Sequence, residues 1–221
     1  MKRLKQLSLG LCVVLSVCGG LVWVSSAEQE TMSQDPSSPE FRNEFLKNFR
    51  RRGMDTTVGD AMMLRILVES SRAKRGVEVG TFAAYGAMNM GIAFERTGGH
   101  LFTLEIDPER VKESEANLKK LGLDDVVTVV AGDALKTLPT LEGEFDFVFL
   151  DAAKEQYRDY LRLLEPKLKP GALVVADNVM RSADDMKDFL DYVRTSPNYD
   201  TVTIMASQEK KDGMTISYKI K

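Results

Sequence analysis

Between residues 76 and 194 this chain alternates five short apolar runs with four longer segments of helical periodicity, and few architectures accept such a pattern. Strands are expected at 76–79, 101–105, 126–130, 145–150 and 172–177, and helices near 84–96, 108–121, 154–168 and 182–194. Pro108 suits a first helical turn and Gly122 a helix exit. Runs this short and continuously apolar read as strands buried on both faces, and β-α alternation then implies a Rossmann-like, mostly parallel α/β sheet with helices on both faces. A final pair, 201–206 and 214–220 around Lys211-Asp212-Gly213, has hairpin character. Upstream, Phe41, Phe45 and Phe49 recur every four residues as the apolar stripe of one helix, and a second helix is expected over 57–73.

The runs close on polar residues. Phe145 to Leu150 stops at Asp151, with Lys154 three residues on, and Ala172 to Ala176 stops at Asp177-Asn178. In open α/β sheets the carboxyl edge of the strands is where ligands sit. Asp151, Asp177 and Asn178 offer three oxygen ligands there, a set that suits a hard divalent cation such as magnesium.

The first run ends in Glu78-Val79-Gly80 and leads through Tyr85-Gly86 into a helix; the second ends at Glu105, twenty-five residues past Gly80. Glycine at a strand-to-helix turn lets a ligand approach the backbone, and an acid at the next strand end can accept from both hydroxyls of a ribose. A dinucleotide cradle needs closely spaced glycines, whereas Gly80 and Gly86 stand six apart with bulkier residues between. A nucleoside without phosphates, S-adenosylmethionine, fits that spacing better, with Asp133-Ala134 at the third strand end facing an adenine. Taken singly, Glu105 or Asp133 reads equally well as a helix N-cap.

The 221 residues suffice for one domain and an appendage. Residues 1–27 have the pattern of a signal peptide or signal-anchor: Lys2, Arg3 and Lys5, an apolar stretch over 7–24, then Ser25-Ser26-Ala27. Residues 28–40 read as a linker and 41–221 as the functional domain, placed by the charge flanks outside the cytoplasm, exported or held at a membrane by the leader alone. Both cysteines, Cys12 and Cys18, lie in the leader, which leaves the remainder without a thiol nucleophile or a cysteine metal site. The single histidine, His100, excludes a histidine zinc site. Removing the leader's three positive charges takes the net charge from −3 to −6, which argues against nucleic acid as a partner.

These features together resemble the metal-dependent O-methyltransferases that include the catechol and caffeoyl-CoA enzymes. The resemblance is carried by Val58-Gly59-Asp60-Ala61, Glu78-Val79-Gly80, Leu104-Glu105-Ile106-Asp107-Pro108, Asp151-Ala152-Ala153-Lys154 and Asp177-Asn178-Val179. It implies a seven-stranded methyltransferase sheet whose last strand runs antiparallel. It also implies magnesium on Asp151, Asp177 and Asn178, Lys154 as the catalytic base, and S-adenosylmethionine held by Val58, Glu78, Gly80, Tyr85, Glu105, Asp133 and Ala134, with Gly86, Ile106 and Asp151 beside them. Members of that family often pair as homodimers. Ala84 stands where the family usually carries glycine, Ala152 and Ala153 replace larger residues, and no glutamate near Ala206 matches the one that orients the second hydroxyl in the catechol enzyme.

A phenol is mostly protonated at neutral pH. A cation bound by two vicinal hydroxyls of an aromatic ring stabilises the phenolate, and an unprotonated Lys154 can take the departing proton. The expected activity is therefore methyl transfer to a hydroxyl of a catechol-like small molecule. Two alternatives stay open on the sequence: an exported ligand-binding protein without turnover, prompted by a leader that sends the domain away from where the cofactor is made, and a nicotinamide-dependent dehydrogenase.

Overall fold

The computed structural model describes residues 35–207 and 209–221, together with the backbone of a two-residue antiparallel pair, Ser16–Val17 and Gly20–Leu21. The rest of the expected leader lies outside the described residues. Among those described, no helix is long and apolar enough to cross a membrane. The chain divides into two compact units, residues 1–48 and 49–221.

The first unit contains helix α1 (Pro39–Asn48), on which Phe41 and Phe45 stack with ring centroids 6.3 Å apart. The expected stripe is one residue too long for this helix. Phe49 lies beyond its end, in the second unit, where its ring meets Tyr85 at 5.5 Å.

The second unit opens with α2 (Val58–Ser71), started by Thr57, whose hydroxyl accepts from the Asp60 N–H, and ended by Arg72 in the left-handed region. Seven strands follow: β1 (Arg75–Val79), β2 (His100–Glu105), β3 (Val127–Ala131), β4 (Phe145–Leu150), β5 (Leu168–Ala176), β6 (Tyr199–Ile204) and β7 (Met214–Lys219). Between them run α3 (Tyr85–Thr97), α4 (Pro108–Lys120), α5 (Ala134–Thr137), α6 (Tyr157–Leu164) and α7 (Lys187–Thr195). The sheet order is β3-β2-β1-β4-β5-β7-β6; the first five strands are parallel and β7 runs antiparallel to both of its neighbours.

Chain direction across the sheet reverses at β1 and β4, and right-handed crossovers accordingly place helices on both faces. One face is filled by Leu138, Tyr157, Leu161, Phe189 and Val193 against Phe145, Val148 and Val174. On the other, Phe94 of α3 meets Phe147 edge to face at 6.2 Å. A register shift between Phe145 and Phe147 lets β4 put Phe145 and Val148 on one side and Phe147 on the other.

Several expected elements differ at their ends. β5 begins at Leu168 rather than 172, because Lys169-Pro170-Gly171 continues extended past the register shift although proline and glycine read as breakers. The helix expected over 154–168 is a short 3-10 turn (Lys154–Gln156), then α6, then a second 3-10 turn at Glu165–Lys167 containing Pro166. Likewise α7 starts at Lys187, five residues later than the pattern suggests.

The register positions the site. Val79 pairs with Leu150, and Leu150 with Ala176. Three consecutive positions beyond the paired strands, Gly80, Asp151 and Asp177, are thus set side by side. Each is tied by its backbone N–H to a neighbouring strand: Gly80 to the Leu104 carbonyl (3.0 Å), Asp151 to that of Val79 (2.9 Å), and Asp177 to that of Leu150 (3.0 Å).

Candidate active site

At the point where the strand order reverses, a cleft of about 800 Å³ opens over the carboxyl ends of the strands. Its floor is Gly80. There φ is +100°, and a Cβ would sit 2.5 Å from the Asp151 carbonyl oxygen, so a side chain would collide with backbone. Phe82 (φ 50°), Ala84 (φ 70°) and Asn178 (φ 63°) also occupy the left-handed region. Each of these non-glycine residues carries roughly 1–2 kcal/mol of strain, and such strain clusters where a backbone has been shaped for a ligand. Ala84 adopts the conformation that glycine would adopt freely, and its methyl group is fully buried rather than in the cleft.

On the β1–β2 side, Glu105 accepts the Phe82 N–H at 2.7 Å on one oxygen and the Asp107 N–H at 2.9 Å on the other. One lone pair on each oxygen remains for two ligand hydroxyls. Asp133 caps α5 through the Leu135 N–H at 3.0 Å while also lining the cleft. Capping α5 therefore does not remove Asp133 from the cleft. The guanidinium groups of Arg52 (4.8 Å) and Arg110 (4.6 Å) both pack on the Phe82 ring, and both bond Glu113. Glu78 lies beneath the floor. Burial pushes its carboxyl up to about 8, against the opposing effect of the hydroxyl of Thr103, which donates to it at 2.5 Å.

On the β4–β5 side, Lys154 Nζ donates to Asp151 Oδ1 at 2.7 Å and to the Tyr157 hydroxyl at 2.8 Å. The Tyr157 hydroxyl in turn donates to the Asp177 carbonyl at 3.3 Å. The Asp177 side chain is only 2% exposed, yet its Oδ2 has no hydrogen-bond partner; its nearest cation, Lys210 Nζ, stands 3.7 Å away. Burial first, and then the Asp151 carboxylate, push the Asp177 carboxyl up to about 7. Asn178 donates its amide N–H to Asp212 Oδ2 at 3.3 Å, which leaves the amide oxygen outside that bond. Among the described residues no three His, Cys, Asp or Glu side chains converge to hold a metal. The candidate donors are two carboxylates and one amide oxygen, and a buried acidic oxygen without a partner is what a hard dication would satisfy.

Of the residues picked out from sequence, Gly80, Glu105, Ile106, Asp133, Ala134, Asp151, Lys154 and Asn178 line the cleft. Asp177 is buried at its edge, and Glu78 lies under it. Tyr85 and Gly86 begin α3 behind the floor, where a Cβ on Gly86 would meet Glu78 at 2.7 Å. Val58 does not line the cleft: its side chain, on the first turn of α2, is 49% exposed. Sequence reasoning missed Tyr157, although its place three residues after Lys154 puts both on one helical face. It also missed Met54 and Thr56 before α2, Arg181 after β5, and Lys210. Lys210 carries no local signal, because it lies in the connection from β6 to β7, which spans 205–213 where the expected strands left 207–213.

The chain matches the family described as O-methyltransferase over residues 26–194. It is 37% identical over 122 residues to a catechol O-methyltransferase of Niastella koreensis, covering 53% of this chain and 55% of that one. It is likewise 37% identical over 119 residues to a catechol O-methyltransferase of Mycobacterium tuberculosis, covering 53% and 54%. The matched segments thus span about half the length of those relatives. Among solved structures, the fold is similar to an O-methyltransferase from Bacillus cereus in complex with SAH (TM-score 0.72, 21% identity, 88% of this chain and 97% of that one). It is also similar to an SAH-bound methyltransferase from Podospora anserina (TM-score 0.71, 21% identity, 92% and 100%).

Proposed function

Because this chain belongs to the O-methyltransferase family, we propose that it transfers a methyl group from S-adenosylmethionine to one hydroxyl of a catechol-like aromatic molecule, with a divalent cation at Asp151, Asp177 and Asn178. The observation that carries the reading is the buried, unpartnered Oδ2 of Asp177 beside Asp151 at the strand ends. The Glu105 carboxylate and the side-chain-free approach at Gly80 suit the nucleoside of S-adenosylmethionine, which supplies an electrophilic methyl group. A divalent cation in the carboxylate pair would favour the ionised form of the acceptor hydroxyl.

In this reading Lys154 accepts the hydroxyl proton. Its Nζ is fixed by Asp151 Oδ1 and the Tyr157 hydroxyl. An ammonium has three N–H donors, so once protonated it can satisfy both partners and still hold the third proton toward the cleft. Tyr157 is buried, and its ring meets Phe189 edge to face at 5.7 Å, which keeps that hydroxyl from following Lys154 outward. The remaining contribution is positional, since a phenolate attacking a sulfonium loses charge on reaction and gains most from being held in line at near-contact distance.

The test is methyl transfer from S-adenosylmethionine to catechol, with magnesium and then with a chelator. Product that disappears with the chelator and returns with added magnesium is the expected result. Undiminished turnover in chelator would remove the cation from the reaction and leave Asp177 without its assigned role.

A further inference from the structure

The cleft is not uniform in charge along the sheet edge. Glu105, Asp107 and Asp133 reach it from the ends of β2 and β3, on one side of β1 and β4, together with Arg110, whose guanidinium is taken up by Glu113. Arg181 and Lys210 reach it from the other side, after β5 and from the connection between β6 and β7. Asp212 staples these two segments together. Its Oδ1 accepts the N–H groups of Met180 (3.0 Å) and Arg181 (3.1 Å), and its Oδ2 accepts the Asn178 amide at 3.3 Å. Backbone and amide donors thereby take up the Asp212 carboxylate and leave the two cations free of it.

Both cations keep unspent donors. Lys210 Nζ stands 3.7 Å from Asp177 Oδ2, beyond hydrogen-bond reach, with its side chain only 21% exposed. The Arg181 guanidinium has no hydrogen bond or ion pair among the described residues. A cleft edge to which the exposed Arg181 contributes a planar fork of N–H donors and the partly buried Lys210 an ammonium is complementary to a carboxylate.

Resting on the methyl-transfer reading above, we propose that Arg181 and Lys210 form an anion subsite, so that this enzyme selects vicinal dihydroxy aromatic acceptors that carry a carboxylate. A neutral catechol fills only the apolar and hydroxyl-binding part of the cleft, and a carboxylate on the ring or its side chain adds charge-assisted hydrogen bonds. Bonds of that kind correspond to a preference of about ten- to a hundredfold.

The experiment compares kcat/KM for 3,4-dihydroxybenzoate and catechol in the full chain, in Arg181→Met and in Lys210→Met. A calorimetric titration of both acceptors in the presence of S-adenosylhomocysteine accompanies it. The expected ratio favours 3,4-dihydroxybenzoate by about tenfold or more, falls by about tenfold in each variant, and shrinks as salt is raised. Turnover of both acceptors with the same ratio in all three proteins overturns the anion subsite and leaves methyl transfer standing. Tighter binding of 3,4-dihydroxybenzoate that both substitutions abolish, without turnover, supports the subsite and sinks the methyl-transfer reading. Neither turnover nor preferential binding overturns both.

Discussion

The two flanks of the cleft handle their acids in opposite ways. On the β1–β2 side the carboxylates that line the cleft are served by the chain itself: Glu105 by two backbone N–H groups, and Asp107 and Asp133 by the helices they start. On the β4–β5 side Asp177 is buried with one oxygen unpartnered, and the nearest cation is too far to hydrogen-bond it. The first flank is complete before any ligand arrives, and its acids support the fold as well as the site. The second stores an electrostatic deficit that a bound cation would relieve, and the proposed metal role assigns its acids to function rather than to stability.

Removing Asp177 tests that contrast most severely. In Asp177→Ala, divalent cation affinity and metal-dependent turnover are expected to fall by at least about a hundredfold, more than the loss of an outer partner of a ligand produces. The metal-free variant should unfold at the same temperature as the parent or higher, because a buried, poorly satisfied carboxylate has gone. Calorimetric titration with magnesium reads the first effect, and scanning calorimetry in chelator the second. A variant that melts well below its parent would erase the distinction between the flanks.

The same asymmetry governs what was legible in the sequence. Strand ends were readable wherever a run of apolar residues stopped at a glycine or an acid, which is how Gly80, Glu105, Asp151 and Asp177 could be placed at one edge before the register of β1, β4 and β5 aligned them. Boundaries failed where local propensity disagreed with the sheet, as at Lys169-Pro170-Gly171, which continues β5 in spite of its breakers. Lys210 and Asp212 were unreadable as site residues for a different reason. Their position depends on the path of a nine-residue connection closed by the antiparallel pairing of β6 and β7, and no periodicity encodes that path. Whether an acid is satisfied is likewise invisible in sequence, since Asp133 and Asp177 look alike until their partners are known.

Gly80 is the seam between the flanks. Its N–H bonds the Leu104 carbonyl on one side, and its missing side chain admits the Asp151 carbonyl on the other. Gly80→Ala combines a forbidden φ of +100° with a Cβ 2.5 Å from a backbone oxygen, and neither strand can yield without breaking its ladder. A destabilisation of about 2–3 kcal/mol is expected, read as a lower urea midpoint at unchanged slope. If the flanks are joined rigidly at this point, affinity for S-adenosylmethionine and affinity for magnesium should fall together. A loss confined to one ligand would show that the two halves of the cleft adjust independently.

Glu105→Ala probes the self-sufficient flank. The substitution orphans the N–H groups of Phe82 and Asp107, and Phe82 already sits at a φ of 50°, a conformation that its bond to Glu105 helps to hold. Glu105 is half-buried, so water can reach part of the vacated space, and the expected cost is about 1 kcal/mol rather than the larger penalty of a sealed pocket. Cofactor affinity should fall as well, while magnesium affinity measured without cofactor stays at its parent value. Glu105→Gln sharpens the point. It keeps one carbonyl acceptor, so stability should recover in part, whereas binding that depends on a full negative charge facing two hydroxyls should not. Equal recovery of stability and cofactor affinity in Glu105→Gln would mean that shape, rather than charge, is what this flank supplies.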